Sequence, residues 1–565
     1  MPVIEVLYSD LENLLNTELP RDREELNTIL AYVKGEIERW DDDEISIEIK
    51  DGNRPDLWSV EGIARELRGA LGLEEGLKPY TIHNSSGIKV SVNPDLRDIR
   101  PYIAASIVEG VQLTDDIIRE FMHLQDKLDQ TYGRRRKRAS IGLYNYDLLT
   151  PPLQYTVAKP TEISFIPLGE VTQMDLETIL RTHPKGIQYG HIINKYAHWP
   201  ILMDSLNRVL SIPPIINSND LGRITEGEHN IFVEVTGTVY RTVLNTLNLV
   251  TLSLADRGQN ILSTTIEYTY PVEKQILLTT PTFPTSSLTL QLETINQVLG
   301  ISLTRNEVVS LLNKARYGLT EVSSQEIKVI IPSYRIDVMH PYDIIEDIAI
   351  MYGYNNITPR WPKQITFGDI SAKEHFLDLT REISIGLGFQ EILSFTLTNK
   401  ENLGQRMGMP DTTIVELVNP TSQRFTCLRN WLLPGLLEFL SHNTHIEYPQ
   451  KIFEVGECVM LDDTKVNHVS SHQKMGVVIA HSTANFTEIK SEAEAFFRNL
   501  GITPNLKVAQ HPTFIKGRVG SLQSHEIEIG ILGEIHPRIL EVWGIETPVT
   551  GFELNLTQLQ TLLQD

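Results

Sequence analysis

The chain has 565 residues, too many for one hydrophobic core, and this length predicts roughly three to five domains. An apolar content of 41% with 22% charged residues is ordinary for a globular protein and excludes a largely disordered chain. The formal net charge of -23 argues against a protein that coats nucleic acid without specificity, but it leaves room for a local basic patch.

Two features of the sequence bear on where the protein works. No apolar run reaches the roughly 18 residues of a membrane span, and the first residues lack a basic-then-apolar leader. The two cysteines, Cys427 and Cys458, are too few for a disulfide framework or a cysteine-rich zinc site. We therefore predict a protein of the reducing cytoplasm with no membrane partner.

The apolar pattern divides the chain into four segments. Residues 1–85 are predicted to form a small α+β module ending in a helix over 56–71, and residues 86–272 a longer α+β segment with many short strands. Residues 273–360 contain two helical patterns, a strand over 327–332 and an acidic helix. In residues 361–565, helices alternate with β-rich runs such as 475–481 and 527–532. The predicted fold class is therefore α+β with several domains.

Four carboxylates surround the start of the acidic helix: Asp337, Asp343, Glu346 and Asp347. The last three stand at i, i+3 and i+4 and share one helical face. Like charges this close destabilise a helix unless a cation or the helix N-terminus offsets them, and Mg²⁺ is a hard ion that carboxylates hold well. The alternative is helix capping, with Asp343 as N-cap and Glu346 at N3. The spacing alone leaves both open.

A basic run precedes an apolar, strand-like segment. It consists of Arg134, Arg135, Arg136, Lys137 and Arg138. Such a run would contact nucleic-acid phosphates without sequence preference, and the alternative is a solvated loop.

Three histidines in the same segment invite a metal interpretation. His183, His191 and His198 are spaced by eight and seven residues, which fits neither a helical pair nor a zinc signature. We predict that they are surface or internally satisfied side chains.

Several short motifs occur in one order along nearly the whole chain. They are Asn53-Arg-Pro-Asp-Leu-Trp-Ser-Val-Glu-Gly, Pro214-Ile-Ile-Asn-Ser, Val233-Glu-Val-Thr-Gly-Thr, the acidic block at 331–353, Asn419-Pro-Thr-Ser, Leu428-Arg-Asn-Trp-Leu-Leu-Pro-Gly, Phe453-Glu-Val-Gly and Gly533-Glu-Ile-His-Pro. Each is weak alone. Together they resemble the β subunits of phenylalanyl-tRNA synthetases, in the short form of archaea and eukaryotes.

The resemblance implies a role for each segment. Residues 1–85 would be the N-terminal module, 86–272 an editing domain and 273–360 a DNA-binding-like module (B5-like) whose four carboxylates hold a structural Mg²⁺. Residues 361–565 would be a class II synthetase-like domain, with an antiparallel sheet, that has lost catalysis. The sequence supports that loss independently, because no Gly-x-Gly-x-Glu-Arg follows residue 500 and no P-loop occurs.

The resemblance also implies partners. The chain would be noncatalytic for adenylation and would pair with an α subunit, where the complex uses ATP and Phe, in an (αβ)₂ heterotetramer that binds tRNA(Phe). Two alternatives stay open: a noncatalytic tRNA-binding scaffold whose editing pocket has decayed, and a free-standing metal phosphoesterase built on the acidic cluster.

Editing is the activity that the family's chemistry requires. An apolar pocket rejects an added hydroxyl by only about 10², so a ligase for Phe needs a second site that hydrolyses Tyr-tRNA. Glu234 suits the phenol as an acceptor, and in an alternating strand it shares one face with Thr236. The resemblance carries the pocket over to Leu202, Ser211, Asn217, Glu234 and Thr236. The alternative is a polar strand face turned to solvent.

One position departs from the family pattern. Val239 stands where the family usually has Asp after Thr-Gly-Thr, so the pocket is expected but its hydrolytic competence is open.

Overall fold

The structure is a computed structural model that describes residues 2–83, 87–323, 325–361, 367–524 and 526–564. The chain divides into two compact units, Met1–Trp361 and Pro362–Asp565. Both combine helices with β-sheets, which confirms the predicted α+β multidomain class. The finer division of the chain into four domains stays a prediction.

The first module is a small antiparallel sheet with helices packed against it. Its elements are β1 (Val3–Leu7), α1 (Tyr8–Leu15), α2 (Arg23–Leu30), β2 (Gly35–Asp41), β3 (Glu44–Ile49) and α3 (Val60–Ala70), in strand order β1-β3-β2. The helix predicted over 56–71 begins later, because the Ser59 hydroxyl caps it by accepting the Gly62 N–H at 3.2 Å.

A large mixed sheet dominates the rest of the first unit. Its region contains β4 (Ile82–His83), β5 (Lys89–Val92), β6 (Tyr102–Glu109), α4 (Asp115–Gln130), β7 (Ala139–Asn145), β8 (Leu153–Ala158), β9 (Ser164–Phe165), β10 (Met174–Asp175), α5 (Leu176–Thr182), α6 (Pro184–Tyr189), β11 (Trp199–Met203), β12 (Val209–Ile212), β13 (Ile216–Asn217), β14 (Ile231–Gly237), α7 (Tyr240–Arg257), β15 (Asn260–Val272) and β16 (Gln275–Thr280). The strand order is β13-β12-β11-β8-β5-β15-β6-β14-β7, and β16 and β4 also pair with β15. The short pair β9–β10 lies outside this sheet.

Strand β14 runs between β6 and β7 and is buried along its whole length. Val233 and Val235 pack in one apolar core with Val243 of α7, whereas Phe232 belongs to a second core. Because strand side chains alternate, Glu234 lies on the same face as Phe232, away from α7.

The last part of the first unit is a small sheet with three helices. Its elements are β17 (Ser286–Gln291), α8 (Leu292–Leu299), α9 (Arg305–Lys314), β18 (Gly318–Val322), β19 (Glu326–Ile331) and α10 (Pro341–Tyr352), in strand order β17-β19-β18. The predicted strand over 327–332 corresponds to β19, and the acidic helix to α10.

The second unit is built on a mostly antiparallel sheet. Its elements are α11 (Ala372–Gly386), β20 (Gln390–Glu391), β21 (Leu397–Thr398), α12 (Lys400–Leu403), β22 (Cys427–Leu428), α13 (Leu433–His442), β23 (Gln450–Leu461), β24 (Val469–Ala480), α14 (Phe486–Asn499), β25 (Asn505–Val508), β26 (Phe514–Ser524), β27 (Ile527–Ile535), α15 (Pro537–Trp543), β28 (Val549–Asn555) and α16 (Leu556–Gln564). The strand order is β20-β23-β24-β28-β27-β26-β25, and the pair β20–β23 is parallel. The predicted antiparallel sheet is therefore confirmed.

None of the helices in the described ranges combines the length and apolar character needed to cross a lipid bilayer.

Candidate functional site

A cavity of about 600 Å³ opens beside β14 in the large sheet. It is lined by side chains from α4, β7, β14 and the segment 211–224. Ser211, Asn217 and Glu234, three of the five predicted pocket residues, line it together. A volume of several hundred Å³ is typical of a site for a small molecule or one end of a larger one.

The other two predicted pocket residues lie behind the cavity wall. Leu202 is fully buried and pairs with Ser211 across the β11–β12 ladder. Thr236 is fully buried, and its hydroxyl oxygen accepts a hydrogen bond from Nε of Arg100 at 2.9 Å. Neither side chain lines the cavity, so in this structure both support its wall, and their contact with a ligand stays a prediction.

Glu234 is the charged group that faces this cavity from the central strand. It is only 2% exposed, so the alternative of a polar strand face turned to solvent is wrong for β14. Oε1 accepts a hydrogen bond from the Tyr144 hydroxyl at 3.1 Å, whereas Oε2 has no hydrogen-bond partner among the described residues. A buried acceptor without a donor is costly, so this oxygen is available to a donor from outside the protein.

Burial raises the pKa of Glu234 to about 7, although the hydrogen bond from Tyr144 and the charge of Arg100 act in the opposite direction. Near neutral pH a substantial fraction of this side chain is therefore ionised. Once ionised, it accepts a strong, charge-assisted hydrogen bond.

Ser211 contributes a second polar group to the same wall. Its hydroxyl is buried and makes no hydrogen bond of ordinary geometry within the described part of the chain. A serine nucleophile requires a base in hydrogen-bond contact with its hydroxyl. The Ser211 hydroxyl can therefore hydrogen-bond a ligand, but it is not activated as a nucleophile.

The sequence did not indicate Tyr144, which reaches Glu234 from the neighbouring strand. The available signal was Gly142, because a glycine inside a strand often marks a close approach of other atoms. Gly142 pairs with Glu234 in the β7–β14 ladder.

The basic run 134–138 forms a tight turn between α4 and β7. Its first three arginines all have left-handed backbone angles, with φ of 53°, 53° and 63°. Arg134, Arg135, Lys137 and Arg138 are exposed.

Arg136 instead points inwards and is 8% exposed. Its Nη1 donates to the carbonyl oxygens of Pro214 and Ile215 at 3.2 and 3.0 Å, and its Nε lies 2.9 Å from Asp129. Arg136 is therefore part of the cavity wall, which corrects the prediction of a tRNA contact for this residue.

Val239 is the N-cap residue of α7 and makes no side-chain capping bond. It is exposed and does not line the cavity. An aspartate at this position would cap the helix, because its side chain would accept the free N–H groups of the first turn. The difference from the family pattern at Val239 therefore affects the stability of α7.

We expect Val239→Asp to stabilise the first unit by about 1 kcal/mol, from the capping bond and the favourable helix dipole. The measurement is the denaturant midpoint of the transition that involves α7, with Val239→Ala as the control that adds no cap. If the cavity hydrolyses Tyr-tRNA, as the resemblance implies, that rate should stay at the level of the unmodified chain. A tenfold rise would show instead that a carboxylate at 239 takes part in the reaction.

The four carboxylates of the acidic helix have separate partners. Asp337 and Asp347 both bind Nη2 of Arg335, at 2.9 and 2.7 Å, and both lie 4.0 Å from the Arg54 guanidinium. Although burial acts against it, the Arg335 charge holds the pKa of Asp337 below its usual value.

The other two carboxylates turn away from this pair. Oδ2 of Asp343 accepts the N–H groups of Met339 and His340, both at 2.8 Å, in a capping box. His340 is therefore the N-cap and Asp343 is N3, so the helix begins three residues earlier than the capping alternative assumed. Glu346 is half-exposed and binds Lys34 at 2.8 Å.

These residues do not fit a shared Mg²⁺ site as they lie in this structure. The described residues contain no group of three His, Cys, Asp or Glu side chains placed to hold a metal ion. Two guanidinium groups already neutralise the buried carboxylates and would repel a cation. The shared ion stays a prediction that this arrangement does not support.

The three histidines at positions 183, 191 and 198 have ordinary roles. Nδ1 of His183 accepts the Lys185 N–H at 3.2 Å and caps α6, and the ring of His191 contacts the Gln188 carbonyl oxygen at 3.1 Å. His198 is exposed.

In the second unit, buried charges of the sheet pair with each other. Arg429 donates to Glu454 at 2.5 Å, and Lys474 to Glu553 at 3.0 Å. The other oxygen of Glu553 accepts the N–H groups of Leu432 and Leu433, at the start of α13. The paired cations Arg429 and Lys474 are thus held by glutamates rather than presented to a phosphate.

Two family models match the chain. The model of the tRNA synthetase B5 domain matches residues 288–354, and that of the phenylalanyl tRNA synthetase beta chain CLM domain matches residues 357–556. With the mixed multidomain fold, these matches define a component of an aminoacyl-tRNA synthetase, which is a ligase.

Relatives that match the whole chain give the particular family. The phenylalanine–tRNA ligase beta subunit of Pyrococcus furiosus is 41% identical over 99% of this chain and 100% of that protein. The Archaeoglobus fulgidus beta subunit is 37% identical over 99% and 98% of the two chains. An N-terminal fragment of the Pyrococcus horikoshii phenylalanyl-tRNA synthetase beta-subunit superposes with a TM-score of 0.59 at 39% identity, covering 62% of this chain and 100% of the fragment. The chain belongs to the family of phenylalanine–tRNA ligase β subunits, as its motifs predicted.

Proposed function

We propose that this chain hydrolyses Tyr-tRNA(Phe) in the cavity beside β14 and supports the attachment of Phe to tRNA(Phe) by a separate α subunit. The observation that carries the proposal is the buried Oε2 of Glu234, which has no hydrogen-bond partner within the described residues and belongs to a cavity-lining side chain. An acceptor in this position suits an aromatic side chain that carries a hydroxyl.

The selectivity follows from hydrogen bonding. The tyrosyl phenol donates to Glu234, whereas the phenyl ring of a correct product leaves that carboxylate unpaired. Apolar residues of the cavity, such as Ile118, Phe121 and Leu143, accept either ring and therefore do not distinguish them. Discrimination thus depends on one polar contact.

Hydrolysis needs a nucleophile near the ester, and water suits this cavity best. Ser211 lacks a base in contact with its hydroxyl among the described residues. Ser211 and Asn217 offer hydrogen bonds that can orient the tyrosyl group in the cavity.

Adenylation belongs to the α subunit, which binds ATP and Phe. The second unit exposes large apolar side chains that a partner subunit would cover, among them Leu393, Phe395 and Val418, exposed by 82%, 74% and 93%. An (αβ)₂ heterotetramer follows if each β subunit takes one α subunit and the pairs associate. Cytoplasmic location stays a prediction.

Cations at the cavity would guide the tRNA end into it. Lys185 and Arg223 line the cavity and have no ion pair with a carboxylate among the described residues. With the exposed cations of the 134–138 turn, they offer positive charge to the phosphates of a single strand.

We expect the double variant Lys185→Met, Arg223→Met to weaken tRNA binding and to flatten its salt dependence. Each lost phosphate contact reduces the slope of log K against log[salt] by about 0.7. The control is Arg181→Met with Lys195→Met, which removes two exposed cations that do not line the cavity. Equal salt-dependence slopes for the two double variants would show that the tRNA end does not enter the cavity past Lys185 and Arg223.

The function is tested by supplying the α–β assembly with Tyr-tRNA(Phe) and Phe-tRNA(Phe) and measuring deacylation of each. Faster loss of Tyr supports the proposal. Binding of tRNA without this preference would favour the alternative of a scaffold with a decayed pocket. A metal phosphoesterase is disfavoured, because Arg335 already forms ion pairs with the buried carboxylates of Asp337 and Asp347.

A further inference from the structure

The carboxylate of Glu234 is held on one side. Tyr144 donates a hydrogen bond to Oε1 at 3.1 Å, and Oε2 has no such partner among the described residues. Tyr144 is fully buried and Glu234 is nearly so. One oxygen is therefore fixed by the protein while the other stays available to a ligand.

Gly142 provides the space for this contact. It lies opposite Glu234 in the β7–β14 ladder, and Tyr144 lies two residues further along the same face of β7. A Cβ atom at position 142 would lie 2.5 Å from the Tyr144 hydroxyl and 2.7 Å from Oε1 of Glu234. Without that atom, the tyrosine reaches diagonally across the sheet to the carboxylate.

The Tyr144 hydroxyl has one proton and two neighbouring acceptors. Burial raises the pKa of Tyr144, whereas the Ser211 hydroxyl beside it acts, with a smaller effect, to lower that pKa. The Tyr144 hydroxyl lies 3.1 Å from Oε1 of Glu234 and 3.3 Å from Oδ1 of Asn217. A carboxylate attracts the proton more strongly than an amide oxygen does, because hydrogen bonds to charged groups are stronger. The contact therefore favours the ionised form of Glu234.

Other charged groups act on Glu234 from the surrounding elements without bonding it. Arg100, before β6, favours the ionised form, and Asp129, at the end of α4, opposes it. Arg100 donates to Thr236 and Ser140, each at 2.9 Å, and Asp129 lies beside Arg136. Within the described residues, Tyr144 is the group that holds the carboxylate directly.

We propose that Tyr144 is a positioning residue that fixes Oε1 of Glu234 and thereby directs Oε2 to the phenolic hydroxyl of a tyrosyl ester. The inference rests on the proposed function of the cavity. Tyr144 does not line the cavity, so it acts through Glu234 and not on the substrate.

The test compares Tyr144→Phe with the unmodified chain in the complete assembly with its α subunit. The measured quantity is the ratio of Tyr-tRNA to Phe-tRNA deacylation rates across neutral pH, because the ratio cancels the attack step common to both substrates. For the unmodified chain the ratio should rise with pH as Glu234 ionises, with a midpoint near its pKa of about 7.

Loss of the Tyr144 hydrogen bond should move that midpoint upward, because the ionised form loses a donor. We expect a shift of about half to one pH unit and a plateau ratio about tenfold lower, since a freely rotating carboxylate binds the phenol less well.

Tyr268→Phe is the matched control. Tyr268 is a buried tyrosine of the same sheet whose hydroxyl donates to the Ile103 carbonyl oxygen at 2.6 Å, and it does not line the cavity. Loss of the Tyr268 hydroxyl should leave the midpoint and the plateau of the deacylation ratio unchanged. Gly142→Ala, which displaces the Tyr144–Glu234 pair, should lower the plateau at least as far as Tyr144→Phe.

The outcomes separate the two proposals. No preference for Tyr-tRNA by the unmodified assembly would contradict the proposed function itself. A normal preference with unchanged midpoint and plateau in Tyr144→Phe would overturn the positioning role. An equal shift in Tyr268→Phe would also overturn it, because the effect would then be general to buried tyrosines.

Discussion

The purified chain alone is expected to form no phenylalanyl-adenylate. Class II chemistry needs arginines that take the phosphates of ATP, and the sequence lacks the Gly-x-Gly-x-Glu-Arg motif after residue 500. In the second unit, Arg429 and Lys474 are held by Glu454 and Glu553. ATP–pyrophosphate exchange should therefore be at background for this chain and appear when an α subunit is added.

The control for this experiment is the α subunit measured alone and in the assembly, at equal concentration. Exchange that depends on α places adenylation there. Robust exchange by the single chain would contradict the assignment of a noncatalytic role.

Glu234→Ala should reduce Tyr-tRNA deacylation by about one to two decades. The substitution removes a charge-assisted hydrogen bond worth roughly 1.5–3 kcal/mol, and each 1.4 kcal/mol corresponds to about tenfold in rate. Phe-tRNA, which has no phenol, should be hydrolysed as slowly as before or slightly faster. The measurement is single-turnover deacylation of both substrates by the complete assembly.

Ser211→Ala is the useful comparison in the same wall. Because water is the proposed nucleophile, this variant should lose less activity than Glu234→Ala. Unchanged Tyr-tRNA deacylation in Glu234→Ala would show that the phenol is bound elsewhere, and a loss in Ser211→Ala that exceeds it would favour a serine nucleophile.

The local elements were predictable because their signals lie within short stretches of sequence. Periodic apolar residues gave the helix α3, the strand β19 and the acidic helix α10 to within a few residues. The predicted start of α3 was too early. Ser59 is the N-cap of this helix, and the residues before it form a separate turn. Helix ends depend on such capping bonds, which periodicity does not encode.

The site depended on contacts between distant segments, and there the sequence was less informative. The spacing of Asp337 and Asp347 suggested a cation but did not indicate that Arg54 and Arg335 supply the charge. The basic run likewise gave no sign that Arg136 turns inwards to Asp129 while its neighbours stay exposed. Charge patterns predict that a partner exists, whereas the fold decides which one.

Glu234, which the family resemblance predicts as a pocket residue, lines a cavity in the structure, and its role there stays a prediction. Its orientation was not predictable, because it depends on Gly142 and Tyr144 of a strand far away in the sequence.

A structure of the chain with a non-hydrolysable tyrosyl-adenosine, in which an amide replaces the ester, tests the central claim most directly. We predict that the phenolic oxygen lies about 2.5–2.7 Å from Oε2 of Glu234, the usual length of a hydrogen bond to a carboxylate. A tyrosyl ring bound outside the cavity, or inside it with Oε2 still unpaired, would contradict the assignment of Glu234 as the group that recognises the hydroxyl.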